Sequence, residues 1–163
     1  MNEQNLRFAP LGSEHLDQLM CIEQLSFATP WSRDSYAHEL EGNALAHYYG
    51  CFYGEQLLGF GGYWYIADEG HITNVAVHPE YRNQCLGEWL VQRIMACCMA
   101  QGGQRMTLEV RESNLPAQRL YSKCGFCCVG SRPNYYDDPK EAAIIMWKEL
   151  RPTQEDHDQD TSI

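Results

Sequence analysis

Apolar and polar positions along the chain alternate between a period of two and a period near 3.6, and the switches mark out its elements. Residues 5–9 are predicted as a short first strand, closed by Pro10-Leu11-Gly12. Leu16, Leu19, Met20 and Glu23 then recur at helical spacing behind Gly12 or Ser13 as cap. A loop from Phe27 to Ser32 leads into a second helix over 32–40, with Ser32 as its N-cap. Two alternating runs, 47–53 and 56–66, meet at Gly54-Glu55 and predict an antiparallel hairpin. Gly59, Gly61 and Gly62 within the second run predict a bulge or a close backbone approach. Asp68-Glu69-Gly70 turns the chain into a strand over 71–77.

Pro79 breaks that strand, and a long amphipathic helix follows to about Ala100. Leu86, Leu90, Ile94 and Cys98 repeat every four residues on one face, with Val91 and Met95 beside them. Gly102-Gly103 ends it. Strands are predicted over 105–110, 125–131 and 141–150, with a short helix over 114–123. The order is that of a single mixed α/β domain spanning 1–150, and the stretch 71–110 predicts a right-handed parallel crossover. The remainder, 151–163, is polar, acidic and aperiodic, and is predicted to be a disordered tail.

Composition adds exclusions. With 22 acidic against 12 basic residues the formal charge is −10, which argues against a nucleic-acid partner. It suits a basic partner, such as a cationic peptide or a polyamine, and equally suits an acidic protein whose charge carries no message. No apolar run reaches the length of a membrane span, and the N-terminus lacks the apolar stretch of a signal peptide, so no membrane and a cytoplasmic location are expected. Eight cysteines include one C-x-x-C, Cys124 to Cys127, with no second ligand pair, so no metal is expected. Most of the thiols fall on predicted apolar faces and are expected in the core.

Candidate chemistry begins with HITNVAVHPEYRNQCLG, residues 71–87. A strand, a loop carrying Arg82-x-x-Cys85-x-Gly87 and then a helix start is a geometry that holds anions, because first-turn N–H groups lack intrahelical partners. A simple capping turn explains that motif equally well. Glu109 adds weight: it shares strand parity with Thr107 and Arg111, opposite Met106, Leu108 and Val110, and a carboxylate in an interior strand needs a cleft or a partner. Asn114 can cap the next helix, and Tyr121 lies on that helix's inner stripe with Ala117, Leu120 and Cys124. Taken alone, Glu109 could pair with an arginine and Tyr121 could be a core residue.

Together, NVAVHPEYRNQCLG, LEVRESNLPAQRLYSKCGF and RPNYYDDPKEAAIIMWKEL resemble the GNAT acetyltransferase superfamily, and within it the RimI-type ribosomal-protein alanine N-acetyltransferases. The resemblance runs from about Phe27 to Leu150 and is strongest from Thr73 to Met146. It implies a GNAT-type fold, a twisted mixed sheet of about seven strands flanked by about four helices. It implies acetyl-CoA as co-substrate and a basic protein N-terminus as acceptor, that of a small-subunit ribosomal protein with an N-terminal alanine. Backbone groups of Val75, Ala76 and Val77 would meet the pantetheine arm. The turn Asn83, Gln84, Cys85, Leu86, Gly87 and Glu88 would wrap the pyrophosphate, with Asn114 further along the cofactor. Glu109 matches the family's general base and Tyr121 its general acid. His71, Tyr135 and Tyr136 would lie near the acceptor groove, either contacting the peptide or simply packing there. Independently of the resemblance, Trp31 with Phe27 either lines a substrate groove or plugs the gap between two helices.

Cys85 departs from the pattern, since the family usually has glycine there, which permits closer backbone approach to phosphate. It also places a thiol at a helix start, where thiolate is favoured and oxidation would block CoA. Two alternatives stay open: an acetyltransferase of a small amine or polyamine, and a CoA-binding regulator without turnover. A monomer or weak dimer is expected.

Overall fold

The structure, a computed structural model, describes residues 2–151. Seven strands form one mixed sheet in the order β1-β2-β3-β4-β5-β7-β6. They are β1 (Leu6–Pro10), β2 (Ala46–Tyr53), β3 (Gln56–Ile66), β4 (Glu69–Val77), β5 (Arg105–Arg111), β6 (Cys127–Asp137) and β7 (Lys140–Glu149). Four α-helices interleave with them: α1 (Leu16–Ser26), α2 (Arg33–Glu41), α3 (Leu86–Ala100) and α4 (Leu115–Lys123). The mixed α/β class and the strand-helix order expected from periodicity are those observed. The predicted tail lies outside the described residues, apart from Arg151.

Local chemistry accounts for most boundaries. Ser32 caps α2, its hydroxyl accepting the Ser35 N–H at 3.1 Å, and Asn114 caps α4, its Oδ1 accepting the Ala117 N–H at 3.2 Å. In α3, Leu86, Leu90, Val91, Ile94, Met95 and Cys98 are all buried, the stripe that the four-residue repeat predicts. Each such side chain contributes roughly 1.5–3 kcal/mol by leaving water. Strand β5 alternates buried and half-buried along its length, so Met106, Leu108 and Val110 join the core under α3 and α4 while Thr107, Glu109 and Arg111 face the other side.

Two expectations need correction. The sixth strand does not stop at Ser131 but continues to Asp137. It is the sheet's edge, where Pro133 breaks no ladder, and register shifts at 128/130 and 132/136 let Asn134 adopt a positive φ. Nor are most of the cysteines in the core: Cys51, Cys98 and Cys124 are buried and Cys97 half-buried, but Cys21, Cys85, Cys127 and Cys128 are exposed. All eight are unpaired thiols. Adjacent cysteines in a strand must point to opposite faces, and the β6 edge leaves both of its pair uncovered.

The feature that positions the site is a split in the sheet. Strands β4 and β5 are parallel neighbours only at Glu69 with Arg105, Gly70 with Met106 and His71 with Thr107. Beyond these the strands diverge. The β3–β4 register shifts at Gly62/Tyr63, so that Thr73 is the extra residue of a bulge in β4, and a bulged strand bends and twists away from its neighbour.

Candidate active site

The split leaves a slot through the sheet, open toward the C-terminal ends of β4 and β5. On one edge Val75, Ala76 and Val77 pair with Gly61, Phe60 and Gly59 of β3. Their other edge has no strand partner among the described residues. The sheet packs so closely behind them that a Cβ on Gly59 would stand 2.9 Å from the Ala76 carbonyl oxygen. The backbone of this segment therefore offers a strand edge to any extended ligand entering the slot.

At the mouth of the slot the chain makes one turn of 3-10 helix, Pro79–Tyr81, capped by the His78 Nδ1, which accepts the Glu80 N–H at 3.2 Å. Arg82 serves as a strut: its Nε donates to the Val77 carbonyl at 2.9 Å and its Nη2 to the Ser26 hydroxyl at 3.0 Å. Asn83 and Cys85 both take left-handed backbone, each with φ of 61°. Cys85 is the N-cap of α3 yet supplies no side-chain cap. The first-turn N–H groups of Leu86, Gly87 and Glu88 thus sit at the positive end of a fifteen-residue helix with no intrahelical acceptor. Asn83, Gln84 and Cys85 are exposed around them. Gly87 is needed for packing: a Cβ there would approach Leu120 of α4 to 3.1 Å. Such a loop fits an anionic group, and the strand edge behind it fits an extended arm.

Glu109 lies on β5 just past the last β4–β5 pair, and Tyr121 on the inner face of α4. Among the described residues the Glu109 carboxylate has no ion-pair or hydrogen-bond partner. Arg111, the arginine nearest in sequence, is engaged elsewhere, with Glu141 at 3.0 Å and with the Pro139 and Asp138 carbonyls at 2.9 and 3.0 Å. Tyr121 packs its ring into the α3/α4 core, edge-on to Phe126. Its hydroxyl has no hydrogen-bond partner among the described residues, and no buried side-chain polar atom is left unsatisfied there. The hydroxyl therefore keeps a small exposure although the residue is buried. Burial, with Cys124 and Tyr136 nearby, drives its pKa well above the ordinary phenol value. Tyr136 connects the two residues electrostatically: burial, then Tyr135, then the Glu109 charge push its own pKa up to about 12.

The other sequence candidates divide. Tyr136 lies beside the Glu109 charge, held by the Arg111 guanidinium 4.2 Å from its ring centre, and Tyr135 packs against it edge-on while remaining exposed. His71 sits at the closed end of the slot, where β4 and β5 still pair, with Glu69 at 3.6 Å. Trp31 lies tilted against Tyr36, ring centres 5.3 Å apart, and packs, with Phe27, against the α1/α2 core. Asn114 is occupied as a helix cap. The loop bearing Trp31 reaches the β6–β7 turn, where the Thr29 hydroxyl donates to the Asp138 carbonyl at 3.4 Å.

Sequence reasoning missed one group. Glu23 is 1% exposed, on α1 among Leu16, Leu19, Met20 and Ile22. Its Oε1 accepts the Trp31 N–H at 3.1 Å and an Asn74 Nδ2–H at 3.5 Å, and its Oε2 accepts the Tyr36 hydroxyl at 2.8 Å. A glutamate standing on an apolar helical stripe was the available signal.

A mixed sheet parted between two parallel strands, with an anion-ready helix start at the mouth, is the architecture of a GNAT-type acyltransferase. The chain belongs to the acetyltransferase (GNAT) family, whose sequence profile matches residues 16–126, and within it to the RimI-type branch. It is 46% identical to a Bacillus subtilis strain 168 protein named as a candidate [ribosomal protein bS18]-alanine N-acetyltransferase, over 82% of this chain and 89% of that one. It is 35% identical to the Escherichia coli K12 [ribosomal protein bS18]-alanine N-acetyltransferase, over 77% of this chain and 84% of that one. The crystal structure of the ribosomal-protein-S18-alanine N-acetyltransferase from Escherichia coli superposes with a TM-score of 0.84 at 29% identity, covering 93% of this chain and 97% of that one.

Proposed function

We propose that this protein transfers the acetyl group of acetyl-CoA to the α-amine of a protein N-terminus, with the N-terminal alanine of ribosomal protein bS18 as acceptor. The observation that carries the reading is the Glu109 carboxylate, without a partner among the described residues, on β5 just past the last β4–β5 pair. The two Escherichia coli comparisons and the Bacillus subtilis relative supply the acceptor.

Acetyl-CoA, when bound, supplies the acyl thioester; the chain supplies placement and proton transfer. The edge of Val75–Val77 would hold the pantetheine arm as an added strand, and the 83–88 turn would take the pyrophosphate on its N–H groups, with Asn114 beside the same arm. An α-amine has a pKa of roughly 8, so Glu109 need only take a proton from a group already partly neutral at physiological pH. Tyr121, its pKa raised by burial, keeps its proton throughout that range. It therefore serves as donor to the departing thiolate sulfur. Trp31, Tyr135 and Tyr136 would border the incoming peptide, and His71 would lie at the groove's inner end. A ribosomal-protein acceptor supports a cytosolic setting for the reaction. No described helix is long and apolar enough to cross a membrane.

Thiol release measured with a peptide beginning Ala-Arg, with spermidine and without acceptor tests the reading. Peptide turnover is expected, and Glu109→Gln and Tyr121→Phe should each lower kcat about 100-fold or more. Faster turnover of spermidine than of peptide would assign the protein to small amines instead. CoA binding without any turnover would make it a regulator.

A further inference from the structure

Glu23 is an ionisable group buried without a cation, and the acyl-transfer reading leaves it unused. Its carboxylate collects donors from three separate segments: the Trp31 amide in the 27–32 loop, the Tyr36 hydroxyl on α2 and the Asn74 amide beside the bulge of β4. Asn74 and Tyr36 also touch each other. An apolar side chain would fill this place among Leu19 and Ile22 with no desolvation penalty, so packing alone does not explain a carboxylate. Directional bonds to three segments do. Two of those segments belong to the site. The 27–32 loop reaches across to the β6–β7 turn through Thr29 and Asp138, and that turn is in turn pinned by Arg111. The third, Asn74, precedes Val75, whose backbone edge lines the slot.

The geometry points to Glu23 as a positioning residue that sets the acceptor groove, holding its loop wall in fixed register with the β4 edge beside Glu109. It touches no substrate. Burial raises its pKa, opposed by the bonds from Trp31, Tyr36 and Asn74. Burial thus disfavours the charged form in the folded state, and glutamine is the neutral substitution of nearly the same shape. Glutamine keeps the volume but offers one acceptor oxygen for three donors.

The inference rests on the acyl-transfer reading for its kinetic part and on geometry alone for the rest, so two readouts are needed. In Glu23→Gln, amide hydrogen exchange over 27–32 should quicken about tenfold while α3 is unchanged, a loss equal to about 1.4 kcal/mol of local opening energy. The KM for the Ala-Arg peptide should rise about tenfold, with kcat and the KM for acetyl-CoA altered less than about threefold. Tyr36→Phe, which removes one donor and leaves the Trp31 tether, should give a smaller rise in the same constant. Unchanged exchange over 27–32 in Glu23→Gln overturns the inference. So does a uniform quickening that includes α3, which would mean general loosening. Absence of turnover by the unaltered protein would count against the acetyltransferase reading only, and the exchange result would still decide the role of Glu23.

Discussion

At residue 85 the chain holds a left-handed backbone, φ of 61°, with a side chain that does not favour it. A Cβ in that region crowds the following carbonyl and costs about 1–2 kcal/mol relative to glycine. Cys85 is also exposed at the start of α3, beside the N–H groups that the proposed reading assigns to phosphate. Cys85→Gly is therefore expected to stabilise the protein by about 1 kcal/mol and to tighten CoA binding, read from the Tm and from titration calorimetry. Alkylation should weaken CoA binding in the unaltered chain and have no such effect in Cys85→Gly; equal affinities before and after would show that the thiol stands clear of the cofactor. The buried thiols will not confuse the experiment. Burial pushes Cys51, Cys98 and Cys124 up to about 11, so they stay protonated and covered at neutral pH.

At the scale of elements, the β6–β7 hairpin depends on a single acid. Glu141 accepts from Arg111 at 3.0 Å and from the Ser113 amide and hydroxyl at 3.1 and 3.0 Å, joining β7 to the end of β5. The Arg111 bond is the main reason its carboxyl titrates below the ordinary glutamate value, with Ser113 adding to it against partial burial. A lowered folded-state pKa contributes stability that is fully present above the unfolded value and is lost as pH falls through the folded one. The Tm gap between the unaltered protein and Glu141→Gln should thus be constant from neutral pH down to about 5 and close below about 4. A gap independent of pH would mean that the arrangement is held by shape rather than by charge. The same scale explains why β6 was undersized in the sequence reading. The sequence pattern marks no strand over 132–137, where Pro133 interrupts it, and pairing with β7 is what makes those residues part of β6.

Over the whole molecule, the two faces of one sheet come together at one slot. Helices α1 and α2 cover the face on which Glu109 stands, while α3 and α4 cover the face that buries Tyr121. A donor can therefore lie against one face and an acceptor against the other, meeting where β4 and β5 part. The formal charge of −10 over the whole chain suits a basic peptide N-terminus through long-range attraction. Raising ionic strength from roughly 20 mM to roughly 0.5 M should increase the KM for the Ala-Arg peptide severalfold, because the Debye length shrinks well below the span of the groove. A KM that stays constant across that range would show that short-range contacts alone select the acceptor.

Periodicity by itself determined the number, type and order of the elements, because each buries one face and the apolar repeat records which face. Capping residues Ser32 and Asn114 and the glycine punctuation fixed most of the ends. The parity of Glu109 and the stripe carrying Tyr121 were equally readable, since both follow from the local twist of one strand and one helix. The parting of β4 from β5, the left-handed turn at Cys85 and the bridge from Thr29 to Asp138 were decided only in three dimensions. So was the gathering of Trp31, Tyr36 and Asn74 onto Glu23. Each of these joins residues far apart in the chain, and sequence periodicity carries no record of a contact between segments that do not share a period.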